Sequence, residues 1–143
     1  MEKTFHMLLY RAFHAQRAAL RPHMAELGLG PGQPKLLSYL AAHGPSRQKQ
    51  LADYFDVDPA AVSRMVEGLR RGGFVTTRPD ESSRRELVKL TEQGREARAA
   101  WAEHCRAMEE RMLRGFDARE QELFADLLAR AARNLRAEEA EKV

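Results

Sequence analysis

The stretch from Gln48 to Thr91 constrains the fold more than any other, because its apolar period changes within it. Leu51, Ala52 and Phe55, then Val62, Val66 and Leu69, recur at helical spacing. Between the two sets lies Asp56-Val57-Asp58-Pro59, a turn followed by a capping residue and a proline suited to a first helical position. Val57 and Val62 have the spacing of a hydrophobic staple. Gly72-Gly73 stops the second helix. Two segments rich in β-branched or apolar residues follow, Phe74 to Arg78 and Glu86 to Leu90, with Pro79 ending the first. The polar loop Asp80 to Arg85 joins them. Helix, turn, helix and hairpin in that order read as a winged helix-turn-helix.

Three positions make the helix pair specific. Ala52 is small where the helices cross, Asp56 tolerates a left-handed turn, and Val62 locks the second helix onto the first. Once the core positions are removed, the second helix keeps Pro59, Ala60, Ser63, Arg64, Glu67, Arg70 and Arg71 on its outer face. Small residues at its start let it enter a major groove roughly 12 Å wide, and an arginine there can read guanine or clamp a phosphate. An arginine at a hairpin tip can enter a minor groove, and Arg84 and Arg85 stand at this one. Arg47 and Gln48 at the head of the first helix and Arg78 on the first strand complete the candidate DNA contacts.

The flanks are helical. Phe5, Leu8, Leu9, Ala12, Phe13, Leu20, Met24 and Leu27 predict a helix over residues 4–27, with Pro22 kinking or breaking it near Arg21 and Gly28 and Gly30 stopping it. A helix over 31–43 opens with Pro31 and buries Leu36, Leu37, Leu40 and Ala41. The first motif helix spans 47–55 with Ser46 as a cap. Thr91 caps a helix reaching about Leu113, with Ala97, Trp101, His104 or Cys105, Met108 and Met112 on its apolar stripe. Asp117 and Glu120 form a capping-box pattern before Leu123, Phe124, Leu127, Leu128, Ala131 and Leu135. The charged tail from Glu138 is expected to fray. The fold class is mainly α with a small β-hairpin wing. Residues 31–91 form the DNA-binding region, and 1–30 with 92–143 form a helical dimerisation region, all one intertwined domain.

The formal net charge is +3, distributed as +3 over residues 1–44, +2 over 45–91 and −2 over 92–143. That total is modest for a nucleic-acid binder, so the pattern decides rather than the sum. A single cysteine excludes a disulfide framework and a multi-cysteine metal site. Met1 to Leu9 lacks the apolar run of a signal peptide, and no stretch reaches the roughly 20 apolar residues of a membrane span. A cytoplasmic location is expected. No nucleophile–base set or phosphate loop occurs, so no catalytic residue, enzyme activity or cofactor is expected. Histidines 6, 14, 23, 43 and 104 show no tight ligand spacing apart from the adjacent His104-Cys105, whose side chains leave different helix faces; no metal site is read from them.

The run QLADYFDVDPAAVSRMVEGLRRGGFVTTRPDESSRRELVKLTEQG, with the earlier LGLGPGQPKLLSYLAAHG, resembles the MarR family of bacterial transcription regulators. The resemblance covers about residues 27–95 and implies a homodimeric repressor that binds a palindromic, inverted-repeat operator and releases it on binding a small effector or on oxidation. It places Arg84 at the family's wing-tip arginine and Ser63 and Arg64 on its base-contacting face. Two departures stand out. The bracing aspartate two residues before the wing arginine is Ser82 here, leaving Asp80 or Glu81 to substitute, and Arg47 occupies a capping Ser or Thr position. The family's ligand pocket implies His14, Arg17, Tyr39 and Trp101 as lining residues. The alternatives are a winged-helix protein-interaction module without DNA binding, or a redox-responsive regulator using Cys105.

Overall fold

The computed structural model describes residues 4–141, and side chains as far as residue 137. Six helices and one hairpin follow in order: α1 (Phe5–Leu27), α2 (Gln33–His43), α3 (Gln48–Phe55), α4 (Pro59–Arg71), β1 (Val75–Pro79), β2 (Glu86–Leu90), α5 (Glu92–Met112) and α6 (Ala118–Glu141). The chain divides into two compact units between Met108 and Glu109, inside α5.

The first unit holds the core. Leu36, Leu37 and Leu40 of α2, Leu51 and Ala52 of α3, and Val62, Val66 and Leu69 of α4 are buried with Val75, Val88 and Leu90 of the hairpin. Val57 packs against this cluster from the turn, as its staple position requires. Asp56 takes the left-handed conformation at φ 53°, the only non-glycine to do so among the described residues. Both the turn and the small residue at the helix crossing are as the sequence predicts. Asp58 stands at the N-cap of α4 but makes no side-chain capping bond; the pre-set φ of Pro59 starts that helix instead.

Four expectations need correction. Pro22 does not break α1, which runs unbroken to Leu27. A proline inside a helix costs about 3 kcal/mol, but Leu20 is buried on one side of it and Leu27 packs on the core cluster on the other. Gly28 then ends α1, its N–H donating to Ala25 O while Leu29 N–H donates to Met24 O, a Schellman pair. Next, α2 opens at Gln33 rather than Pro31, because Gly32 sits at φ 81°, outside helical space. Pro34 falls in its first turn, and Gln33 Oε1 accepts from Gly30 N–H at 2.7 Å. Ala41 is exposed, not part of the buried stripe.

The fourth correction concerns Ser46, which does not cap α3. Its N–H and C=O exchange bonds with Val88 at 3.0 and 2.8 Å, adding a one-residue rung to the free edge of β2. Arg47 is the N-cap, and Gln50 Oε1 accepts from its N–H at 2.8 Å. This is half of a capping box, since a guanidinium has no lone pair with which to complete the other half.

The hairpin is antiparallel, with Val75 opposite Leu90 and Pro79 opposite Glu86. Pro79 is the strand's last residue, and Phe74 stands just before its start. Thr91 joins the hairpin to α5. Its Oγ1 donates to Gly73 O at 2.6 Å and accepts from Gly94 N–H at 3.0 Å, the expected cap. A Cβ on Gly94 would lie 2.0 Å from Phe74 O, so only glycine allows α5 to approach the strand this closely.

In the second unit the capping box forms in full. Glu120 Oε1 accepts from Asp117 N–H at 3.1 Å, and Asp117 Oδ1 accepts from Glu120 N–H at 2.8 Å. The α6 backbone is helical to Glu141; the side chains from Glu138, where fraying is expected, lie outside the described residues. Leu123, Leu127, Leu128 and Leu135 of α6 are exposed. So are Phe5, Leu8, Leu9, Tyr10 and Phe13 of α1. Among the described residues, no helix is long and apolar enough to cross a membrane.

Candidate nucleic-acid interface

Helix α4 buries Val62, Val66 and Leu69 and so turns the opposite face outward. Pro59, Ala60, Ser63, Arg64, Arg70 and Arg71 are all exposed. The first turn of α4 carries small side chains and no acidic residue, which leaves its N-terminal N–H groups and positive dipole end open to a phosphate or base edge. Ser63 and Arg64 lie one turn further along. Arg70 is shared with Glu67, whose carboxylate lies 3.0 Å from its guanidinium. Gln48 is exposed at the first position of α3, and Arg78 is exposed on β1.

The wing loop is built around Asp80. Its carboxylate accepts from Ser82 N–H at 3.1 Å, from Ser82 Oγ at 2.9 Å and from Ser83 Oγ at 3.3 Å. It also accepts from the guanidinium of Arg47, Nε at 3.0 Å and Nη2 at 2.5 Å. The Arg47 hydrogen bonds, followed by those from Ser82, hold the Asp80 carboxyl down at about 2. Asp80 N–H donates to Arg85 O at 2.9 Å and closes the loop.

Two sequence readings change here. Arg47 is not a free DNA contact: its guanidinium ties the head of α3 to the base of the wing. The acid absent at position 82 is replaced by Asp80, but Asp80 braces the loop and α3 rather than Arg84. Among the described residues Arg84 and Arg85 make no side-chain ion pair, and both are exposed. A braced loop thus presents two uncommitted guanidiniums. Neither the clasp nor the Ser46 rung had a signal in the local pattern, because each joins residues far apart in sequence.

The expected ligand-pocket residues lie on three helices, α1, α2 and α5. Tyr39 stacks on His43 at 4.1 Å and packs with Tyr54 and Phe55, an aromatic group on α2 and α3. His14 stacks on Tyr10 at 5.8 Å, and Arg17 lies over Phe13, all within α1. Trp101 is half-buried on α5. A cleft of roughly 500 Å³ opens elsewhere, between Leu40, Leu90, Lys89, Arg95 and Arg98. The Nε of Arg98 is buried there without a hydrogen-bond partner. Sequence reading missed this cleft because its cations come from β2 and α5 and its apolar wall from α2. Cys105 is half-buried on α5.

Comparison with known proteins agrees with this geometry. The model of the MarR family matches residues 27–86. The chain is similar to the HTH-type transcriptional regulator YdgJ of Bacillus subtilis (strain 168), 36% identical over 110 residues that span 76% of this chain and 66% of that protein. It is also similar to YwoH of the same organism, 30% identical over 100 residues, covering 70% of this chain and 73% of the relative. Among solved structures, a MarR-family transcriptional regulator from Silicibacter pomeroyi superposes with a TM-score of 0.76 at 29% identity, over 89% of this chain and 86% of that one. The structural likeness extends beyond the reading head into the flanking helices, and the chain belongs to the MarR family of winged helix-turn-helix, DNA-binding transcription regulators, which are dimeric and not enzymes.

Proposed function

We propose that this chain is a cytoplasmic, effector-responsive repressor that binds an inverted-repeat operator as a homodimer. The observation that carries the reading is the exposed face of α4 beside a wing whose loop is braced while its two arginines stay uncommitted. Each subunit lays the start of α4 in a major groove, with Ser63 and Arg64 toward base edges. Arg84 and Arg85 reach the flanking minor groove, where narrow A·T-rich sequence strengthens the negative potential. Two copies related by a two-fold axis read half-sites about one helical turn apart, roughly 10 bp. The exposed apolar faces of α1 and of α6 are covered by the second copy, which assigns residues 1–30 and 92–143 to dimerisation.

The effector part of the reading is supported by the cleft at Lys89, Arg95 and Arg98. Three cations and an apolar wall suit a small anionic ligand, and Arg98 Nε has a hydrogen bond still to give. Such a ligand releases DNA only if it binds the non-operator spacing of the two heads more tightly than the operator spacing.

Selection of bound sequences from random duplexes tests the function directly. A palindromic site supports it, and recovery of no sequence preference rejects it. On the selected site Arg64→Ala should cost ~1–3 kcal/mol and relax preference at one base position. An equal loss on random DNA would make Arg64 a phosphate contact instead.

A further inference from the structure

Helices α1 and α5 bring together three side chains that the DNA-binding reading does not use. The rings of His23 and His104 stack with centroids 3.8 Å apart and planes 13° from parallel. Glu26, one turn beyond His23 on α1, has Oε2 3.5 Å from His23 Nδ1. One ligand atom from each of the three lies within 4.8 Å of the other two, and the described residues contain no second group of this kind.

As a packing contact the arrangement is poorly satisfied. The bond from His23 to Glu26 sits at the outer limit of hydrogen-bond length. It is the only hydrogen bond either ring makes among the described residues. Two neutral imidazoles and one carboxylate are instead the donor set that divalent transition metals take in three-ligand sites, with water in an open fourth position. Tetrahedral coordination at bond lengths near 2.1 Å puts donor atoms about 3.3 Å apart, so the three must close by at most about 1.5 Å, and the His23 ring must turn out of its stack on His104 to aim its in-plane lone pair at the ion. Glu26 and His23 have the freedom to do so, their side chains being 65% and 36% exposed, while half-buried His104 supplies the fixed point.

We propose that His23, Glu26 and His104 form a binding site for a first-row transition-metal dication of the zinc class. The metal ties α1 to α5 within one chain. Its single carboxylate leaves a net positive charge on the bound ion, which the exposed fourth position lets water and counter-ions solvate. Spacing along the sequence hides the site, because its histidines come from separate helices.

The test is a titration of Zn2+ into the full-length protein against a chromophoric chelator, with the visible spectrum of Co2+ as a second probe. The expected result is one tight equivalent per chain. His23→Gln and His104→Gln should weaken it by roughly tenfold or more, since each removes a ligand and even outer-shell partners are worth that much. Metal should raise the melting midpoint of the wild type and not of these variants. His43→Gln serves as control, because His43 stacks on Tyr39 away from the site, and its binding should be unchanged. Wild-type affinity no better than that of His104→Gln, or an equal loss in His43→Gln, overturns the proposal. Should His104→Gln fail to fold, Glu26→Gln at an exposed position decides: weaker binding with an unchanged metal-free melt supports the site, and unchanged binding rejects it.

Discussion

The reading head and the helical flanks bury their apolar residues in opposite ways. In the head, Leu36, Leu37, Leu51, Val62, Leu69 and Val88 are all but sealed from solvent. On α1, Phe5 is 91% exposed and Leu9 56%; on α6, Leu123 is 53% exposed and Leu135 66%. Both regions have helical apolar stripes, so periodicity alone does not separate them. What separates them is where the partner surface lies. The head satisfies its stripes with its own α2, α3, α4 and hairpin. The flanks leave theirs exposed within one chain, and the proposed dimer would supply the surface that covers them.

The largest expected effect tests the self-sufficient half. Leu37 is fully buried at the centre of the head. Leu37→Ala should lose about 2–5 kcal/mol of stability through lost transfer energy and a residual cavity. Denaturant melts should show this loss at any protein concentration. A shift that grew on dilution would mean that the head borrows stability from the second copy, and the contrast between the regions would fail.

The flank prediction is smaller and has the opposite signature. Leu127 is 45% exposed on α6. Leu127→Asp should weaken the dimer by about 2 kcal/mol, because a buried interface position would receive an unpaired charge. Sedimentation over a dilution series should show the subunits separating at higher concentration than in the wild type, with the helix content of the head retained. An unchanged association constant would place the dimer contact elsewhere and reopen the assignment of α6.

How much of this was legible in the sequence follows the same division. The head was readable because its signals are local: a left-handed Asp56, Pro59 at a helix start, two glycines at a stop, and a threonine cap at Thr91. Features that depend on distant partners were not. Pro22 looked like a breaker because the anchoring of Leu20 and Leu27 on either side cannot be seen from the proline. Pro31 looked like a helix start until Gly32 adopted a positive φ. Ser46 looked like a cap because its edge pairing with Val88 is a tertiary event. The pocket residues were carried over by resemblance, and they stand on three separate helices that no local pattern joins. The exposed face of α4 was legible, since a helix's outer face follows directly from its inner one.

Arg47 and Asp80 join α3 to the wing, the two halves of the candidate DNA-reading surface, and they provide the smallest expected effect. Asp80→Asn keeps an acceptor for Ser82 N–H but loses the ion pair with Arg47. The wing should then hold its hairpin and position its arginines less well, with a loss of operator affinity smaller than the ~1–3 kcal/mol expected for Arg64→Ala. The pH dependence gives a sharper reading. The carboxyl of Asp80 is held at about 2, below the ordinary value near 3.9. A depressed carboxyl contributes stability that is present above the unfolded value and lost as pH falls through the folded one. The clasp should therefore persist through the ordinary carboxylate range, from neutral pH down to about 3, and be lost only as pH falls through the folded value. The amide shift of Ser82, followed by NMR, should stay flat over that range in the wild type. A titration step near the ordinary carboxylate value would show that Arg47 does not hold Asp80 in solution, and the wing would then be no more braced than a solvated turn.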